Sequence, residues 1–407
     1  MTPRGAITFP SSCRRTAIPA GGPARLRVHR KRGASDMAQT GLNMSRRIRR
    51  TPYTGRAEAH GVRGYSVVNH MLLPKAYAAS VEEDYWHLRE HVQVWDVGCQ
   101  RQVQVTGPDA AELVQLMTPR DLRRIPDGQG LYIPLIDEHA GMINDPVLLK
   151  LEDDKFWLSI ADSDVLLFAK GIAFGRGLDV LVEEPDVFPL AVQGPKAETL
   201  MKELFGNEIA ALPYFGFGTF DMLGTRQVIA RSGYSKQGGF EIYLEGGYLG
   251  GALWDLVWEA GRALNIRPGC PNLIERIEGG LMSYGNEFTR ANNPLECGFK
   301  RYCHLDDGID YIGREALLKI AEDGPERHIM GVTFGGEALS GVAVPLAVIA
   351  QDGTVVGKVT SGIWSPRLGC NVGMSMIARG HWDAGTRITV RDTDGNLRDG
   401  TVSSLPF

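Results

Sequence analysis

Between Arg231 and Tyr243 the chain reads Arg-Ser-Gly-Tyr-Ser-Lys-Gln-Gly-Gly-Phe-Glu-Ile-Tyr. A carboxylate, a lysine and two tyrosines stand among three glycines. Gly233, Gly238 and Gly239 permit backbone geometry that other residues resist. The segment is therefore expected to turn tightly, around a flat ligand, and to feed a short strand. Side chains alternate along a strand, so Glu241 faces away from Phe240 and Ile242. Two acceptor oxygens aimed one way suit a heterocycle with adjacent N–H donors, such as a pterin. A solvated glutamate on a half-exposed strand is the plainer alternative.

Other groupings are weaker. His87-Leu-Arg-Glu-His91 fits the H-x-x-E-H zinc pattern, and histidines at i and i+4 can share a helix face. No further ligand motif accompanies the pair, so a polar helix face is expected and no metal. Ser235-Lys236 lacks the G-x-S-x-G setting of a nucleophile. Lys236 is read as a contact to a substrate anion, against the alternative of a solvated lysine. Gly216-x-Gly218 is too short for a dinucleotide fingerprint. Trp254 and Trp258 are read as core.

With 407 residues, 43% hydrophobic and 23% charged, the chain has the composition of a globular protein of two or three domains. A net charge of −4 gives no reason to expect nucleic acid. No apolar run reaches bilayer length, so no membrane partner is expected. Six scattered cysteines form no Cys-x-x-Cys pair, which favours reduced thiols and a cytoplasmic setting. Residues 1–44 are expected to be a disordered basic tail, with eight Arg and Lys against Asp36 alone in the first 43 residues. A transit peptide has similar composition. A start assigned upstream of Met37 or Met44 is preferred to it.

The middle of the chain repeats itself. Arg101–Thr106 runs into Gly107-Pro108, with Ala110, Leu113, Val114 and Met117 at helical spacing. Phe188–Gln193 runs into Gly194-Pro195, with Ala197, Leu200, Met201 and Leu204 in the same pattern. Proline near a helix start is favoured because its missing N–H costs nothing there. Strands are expected over 130–136, 142–151 and 156–160, then a helix over 163–173. The second unit offers strands over 219–223, 227–230 and 240–244, then a helix over 250–264. Each is read as a β-α-β-β-α unit, near the ferredoxin-like pattern. Each carries an acid after its turn, Asp145 and Glu241, and the two are expected to converge on one cleft.

A helix is expected over 274–287, with Arg276 and Glu278 displaced from its apolar face. From about residue 325 short β-rich runs alternate with Asp-Gly turns, which marks an all-β domain. The expected organisation is a region of two pseudo-repeated αβ units plus a helical segment over 45–322 and a C-terminal all-β domain over 323–407.

Several ordered motifs together resemble the glycine cleavage T-protein family of folate-dependent aminomethyltransferases. They are Gly141-Met-Ile-Asn-Asp-Pro146, Leu190-Ala-Val-Gln-Gly-Pro195, Gly233-Tyr234 through Gly239-Phe-Glu-Ile242, Glu275-Arg276, Tyr311-Ile-Gly-Arg-Glu-Ala-Leu317 and Thr360-Ser-Gly with Ser365-Pro366. Asn69–Pro74, Val92–Asp96, Ser159–Asp164 and Arg267–Pro271 look like the demethylase subgroup that acts on dimethylsulfoniopropionate. The resemblance implies an α+β T-protein-like fold with a C-terminal β-barrel-like domain. It implies tetrahydrofolate as the methyl acceptor, with Asp145 near N5 as the catalytic acid–base group. Glu241 would hold the pterin edge, and Arg276 would meet folate carboxylates. Tyr132, Tyr234, Lys236 and Tyr243 would serve the substrate side.

The function so implied is transfer of a methyl group from dimethylsulfoniopropionate, or a related sulfonium or onium donor, to N5 of tetrahydrofolate. A glycine-cleavage aminomethyltransferase and a non-catalytic folate binder are the alternatives. Tyr234, Val68 and Leu131 stand where the subgroup has Trp, Tyr and another aromatic. Aromatic faces stabilise cations, so these positions leave the natural donor open. A homodimer is likewise left open.

Overall fold

The computed structural model describes residues 45–407 except 79, 127 and 307. The expected basic tail lies outside the described residues. Two antiparallel sheets carry the repeat. The first runs Leu181–Glu183, Gln102–Thr106, Lys155–Ser159, Val147–Glu152, Gly130–Tyr132. The second runs Phe217–Met222, Thr225–Ala230, Gly239–Glu245, Val187–Gln193, Gln93–Asp96, Arg267–Gly269, with its last pair parallel.

Read from the strand that opens each unit, both sheets have the order first, fourth, third, second. Each opening strand feeds a helix, Ala110–Leu116 or Ala197–Phe205. Each fourth strand feeds another, Val165–Arg176 or Gly250–Gly261. The matched Gly-Pro turns have a physical cause. Gly107 and Gly194 have φ of +128° and +122°, and a Cβ would stand 2.5 and 2.3 Å from the carbonyl oxygens of Asp179 and His91. No side chain fits either turn.

The structure corrects the repeat in two respects. Three strands of the main sheet separate the helices of each unit, as the expected ranges have it although the β-α-β-β-α formula counts two, and the first unit adds the separate pair Leu135–Ile136 and Met142–Asn144. The acids are also not equivalent: Asp145 precedes the third strand of its unit, whereas Glu241 lies within the fourth strand of the other. The β-strand expected over 142–151 is split at Asp145-Pro146 into Met142–Asn144 and Val147–Glu152, because proline has no N–H for the ladder.

Alternation then sorts the second sheet's side chains. Phe240, Ile242 and Leu244 enter a core with Leu200, Met201, Leu253, Trp254 and Val257, and Trp258 packs against it. Tyr243 points the other way, into a cluster with Leu149 and Trp157 of the first sheet. The sheets are also stitched at their edges: Gly130 N donates to Phe215 O at 2.7 Å and Phe217 N to Gly128 O at 2.7 Å.

Six strands from Arg327–Phe334 to Leu397–Ser403 close into a barrel, so the expected barrel-like C-terminal fold is borne out. The helix expected over 274–287 covers only Leu273–Glu278. Gly279 and Gly280 follow, the latter at φ +61°, and the chain turns away. Its charged residues were expected outside the apolar face, yet Arg276 and Glu278 are 7% and 4% exposed. Both are buried because the barrel covers them. Glu278 accepts from Tyr85 Oη at 2.9 Å, Ser365 Oγ at 2.6 Å and Arg367 Nε at 2.8 Å.

Away from this junction, burial pushes the Asp96 carboxyl up to about 7, against hydrogen bonds from Thr51 Oγ1 and Gly98 N. A carboxyl raised in the folded state keeps its proton between about pH 4 and 7 while the unfolded chain has lost it. Its contribution to stability therefore falls as pH rises through that window. Asp96→Asn is expected to flatten the fall, gaining most relative to the parent above pH 7. Denaturant titrations at pH 5 and pH 8 check this; equal offsets at both would refute it.

Candidate active site

Asp145 sits at the break that Pro146 imposes, where no ladder claims its side chain. Asn144 pins the turn, donating to Ser163 Oγ at 2.8 Å and accepting from Ala161 N at 3.1 Å. Tyr132 Oη donates to Asp145 Oδ2 at 2.7 Å. The other oxygen, Oδ1, is buried without a hydrogen-bond partner among the described residues. Burial raises the carboxyl to about 7; the Tyr132 hydrogen bond opposes this, and the charge of Glu287 adds to it. Such a group exchanges a proton near neutrality, as acid–base work requires.

Tyr132 belongs to an aromatic group, with ring centroids 5.4 Å from Phe299 and 5.2 Å from Tyr302. Tyr132→Phe removes the one side-chain hydrogen bond that lowers the Asp145 carboxyl. If the carboxylate form is active, rate rises with pH through about 7 in the parent. The variant's rise is expected at higher pH. A pH–rate profile checks it, and an unmoved limb would dissociate Tyr132 from this proton.

Glu241 is 5% exposed, and Ser232 Oγ donates to its Oε2 at 2.5 Å. Burial raises its carboxyl, against the Ser232 hydrogen bond. Register places Glu241 opposite Ala191 on one side and Ala230 on the other, and Ala191 opposite Trp95. One strand face thus presents a carboxylate between two alanines, the smallest side chains that keep a strand regular. The glycine turn itself closes on protein rather than on a ligand. A Cβ at Gly233 or Gly239 would meet the Gln193 amide at 2.0 or 2.4 Å. Gln193 also donates to Ser232 O and accepts from Ser235 Oγ, which fixes the residues on either side of Tyr234.

Tyr234 Oη donates to Met282 O at 2.6 Å, and its ring packs with Leu88, Trp95, Val97 and Ala191. Trp95 is a buried aromatic that the sequence reading did not place in the site. Lys236 is exposed; its backbone N–H donates to Glu275 Oε1 at 3.0 Å.

Two further expected residues are buried. Tyr243 is fully buried between the sheets, its ring centroid 6.2 Å from that of Trp157, so it lines no open surface. Its hydroxyl lacks a well-aligned partner, although Glu241, Ser159 and Ser232 are polar neighbours. Arg276 is turned inward: it donates to Glu287 Oε2 at 2.7 Å and Ser361 Oγ at 2.7 Å. A cofactor carboxylate would have to displace Glu287. Leu131 packs against the first unit's core.

The zinc-like pair is also accounted for. His87 faces the Asn265 carbonyl at 2.9 Å, and His91 Nδ1 lies 2.8 Å from Lys196 Nζ. Burial lowers His87 to about 4.

Tyrosines stand near both acids. Tyr302 packs near Tyr132. Tyr214 is 67% exposed, yet its hydroxyl is raised by its surroundings, first by burial and then by Glu241 and Tyr302.

Residues 53–307 match the GCVT N-terminal domain, and residues 327–407 match the glycine cleavage T-protein C-terminal barrel domain. The chain belongs to the glycine cleavage T-protein family. Within this family it is 51% identical to the dimethylsulfoniopropionate demethylase of Ruegeria pomeroyi, covering 88% of this chain and 97% of that one. It is 30% identical to the aminomethyltransferase of Symbiobacterium thermophilum, over 78% and 86% of the two chains. The crystal structure of glycine cleavage system aminomethyltransferase T from Bartonella henselae shares the fold, with TM-score 0.77, 23% identity and 88% and 98% coverage. The T-protein resemblance read from the motifs is borne out, and so is the α+β class.

Proposed function

We propose that the protein is a tetrahydrofolate-dependent demethylase that takes a methyl group from dimethylsulfoniopropionate or a related onium donor. The carrying observation is Asp145: a buried carboxyl near neutrality, gripped by Tyr132 at one oxygen and unpartnered at the other. The high identity to a dimethylsulfoniopropionate demethylase over nearly its whole length supports this reading over an aminomethyltransferase.

The residues fit a reduced pterin. Glu241, flanked by Ala191 and Ala230, offers acceptors for ring N–H groups, and Asp145 offers a free acceptor for a second polar point. Bound there, tetrahydrofolate supplies the N5 lone pair that accepts the methyl group. The methyl–sulfur bond breaks with its electron pair on sulfur, so a neutral thioether leaves and no acid is needed to assist it. Positive charge moves away from sulfur toward N5, and the negative Asp145 carboxylate would stabilise it there. Asp145 also receives the proton given up as the new C–N bond forms. Tyr132 holds that carboxylate in one orientation, which is the positioning such a displacement needs. The partly buried Tyr234 ring offers a face for the cationic donor.

No described helix is long and apolar enough to cross a membrane, and the five described cysteines are free thiols. A cytoplasmic enzyme, with a homodimer left open, accords with both. The test is incubation with tetrahydrofolate and a panel of sulfonium and ammonium donors, without a carrier protein. Formation of 5-methyltetrahydrofolate and thioether supports the proposal. Turnover only with a lipoyl carrier would select the aminomethyltransferase, and binding without turnover would select a folate carrier.

A further inference from the structure

Gln193 ends its strand fully buried, with its amide inside the glycine turn. Its Nε2 donates to Ser232 O at 3.1 Å and to Phe240 O at 3.5 Å, so one side chain spans both arms of the turn. Carbonyl oxygens only accept, so the NH2 end of the amide must face them. That leaves Gln193 Oε1 to accept from Ser235 Oγ at 2.8 Å. Gly194 N donates to Gly238 O at 2.9 Å and closes the turn onto the same strand.

The arm carrying Ser232 is thereby held against the arm carrying Glu241. Ser232 is buried, and its Oγ donates to Glu241 Oε2 at 2.5 Å. A hydroxyl donating to a buried carboxylate makes a stronger bond than it would in water. It occupies one of about four acceptor sites on the carboxylate and leaves the others for ring N–H groups. The other titratable groups facing Glu241 are hydroxyls. Tyr243 follows two residues on in the same strand and shares its surroundings with Ser159 of the first sheet. Tyr214, just before the strand Phe217–Met222, lies within electrostatic reach. Burial raises both tyrosines, so both stay neutral at working pH.

We infer that Ser232, set in place by Gln193, is a positioning residue that presents the Glu241 carboxylate to the pterin. This rests on the folate reading above and deepens it by naming the residue that acts behind the pterin-binding acid. Ring N–H groups need acceptors, and only the ionised carboxyl accepts at both oxygens. Burial favours the protonated form of Glu241, and the Ser232 hydroxyl opposes this. Without that hydroxyl the free protein holds the proton to higher pH. Binding must then expel it, and affinity falls wherever the proton is held. The loss is full at pH values where both proteins are protonated and vanishes where both are ionised.

The experiment is equilibrium binding of tetrahydrofolate to the full-length parent and to Ser232→Ala, between pH 6 and pH 9 under anaerobic, reducing conditions. The ratio of the two dissociation constants is read at each pH, so ionisation of Asp145 and of the ligand cancels. The variant is expected to bind about tenfold more weakly at pH 6, the size of one hydrogen bond to a charged group, with the ratio shrinking toward one at pH 9. A ratio that stays level with pH, whatever its value, would overturn the inference, because a packing defect weakens binding alike at every pH. A ratio that widens as pH rises would overturn it as well, since the hydroxyl would then favour the protonated acid. Failure of the parent to bind tetrahydrofolate would instead overturn the folate reading on which the inference rests.

Discussion

Asp145→Asn will slow methyl transfer by about 10²- to 10⁴-fold, the range for loss of a positioned acid–base group, and leave the protein folded. The amide keeps the shape of the carboxyl and can still accept from Tyr132 Oη. It can neither receive a proton from the acceptor nor stabilise the migrating positive charge. The stability side of the expectation follows from burial. Desolvation already lifts the Asp145 carboxyl to about 7, which means the charged form is disfavoured in the folded state. An uncharged isostere escapes that penalty, so the thermal midpoint should hold or rise at pH 8. Single-turnover rates and thermal unfolding of the same preparation decide the matter. A rate within threefold of the parent removes Asp145 from the chemistry, and a collapsed midpoint makes its role structural.

What the chain reveals before any coordinates is uneven, and the unevenness has physical causes. Glu241 was legible because strand alternation is local: knowing that Phe240 and Ile242 are apolar fixes the opposite face. The Gly-Pro turns were legible because the glycine and the helix start lie within a few residues. Register is not local. Nothing near Glu241 in sequence announces that Ala191 and Ala230 will flank it, or that Trp95 stands one strand further on. Nor does anything near Tyr243 announce that its ring will pack beside Trp157 of the other sheet. Arg276 and Glu278 were read as outward because their charges break an apolar stripe. Only the barrel, arriving some 50 residues later in Arg327–Phe334 and its partners, supplies the groups that make burial tolerable.

The Arg276–Glu287 pair gives the largest expected effect on stability. Their side chains are 8% and 0% exposed, and Glu287 also accepts from Ser283 N at 2.8 Å and from Ser361 of the barrel. Glu287→Ala leaves a guanidinium buried against Ser361 and a carbonyl, with no counter-charge. Breaking a buried pair in this way costs about 3–5 kcal/mol. Arg276→Met together with Glu287→Leu removes both desolvation penalties and should recover much of that loss. Denaturant unfolding of the single and double variants tests this, and a single variant as stable as the parent would sink it. The double variant also separates folding from chemistry. Glu287 is the charge that helps raise Asp145, so its removal should move the acid limb of the pH–rate profile to lower pH. Tyr132→Phe is expected to move the same limb to higher pH. Opposite displacements from two residues that touch different sides of the site would locate the titrating group at Asp145; displacements of the same sign would place the proton on another residue.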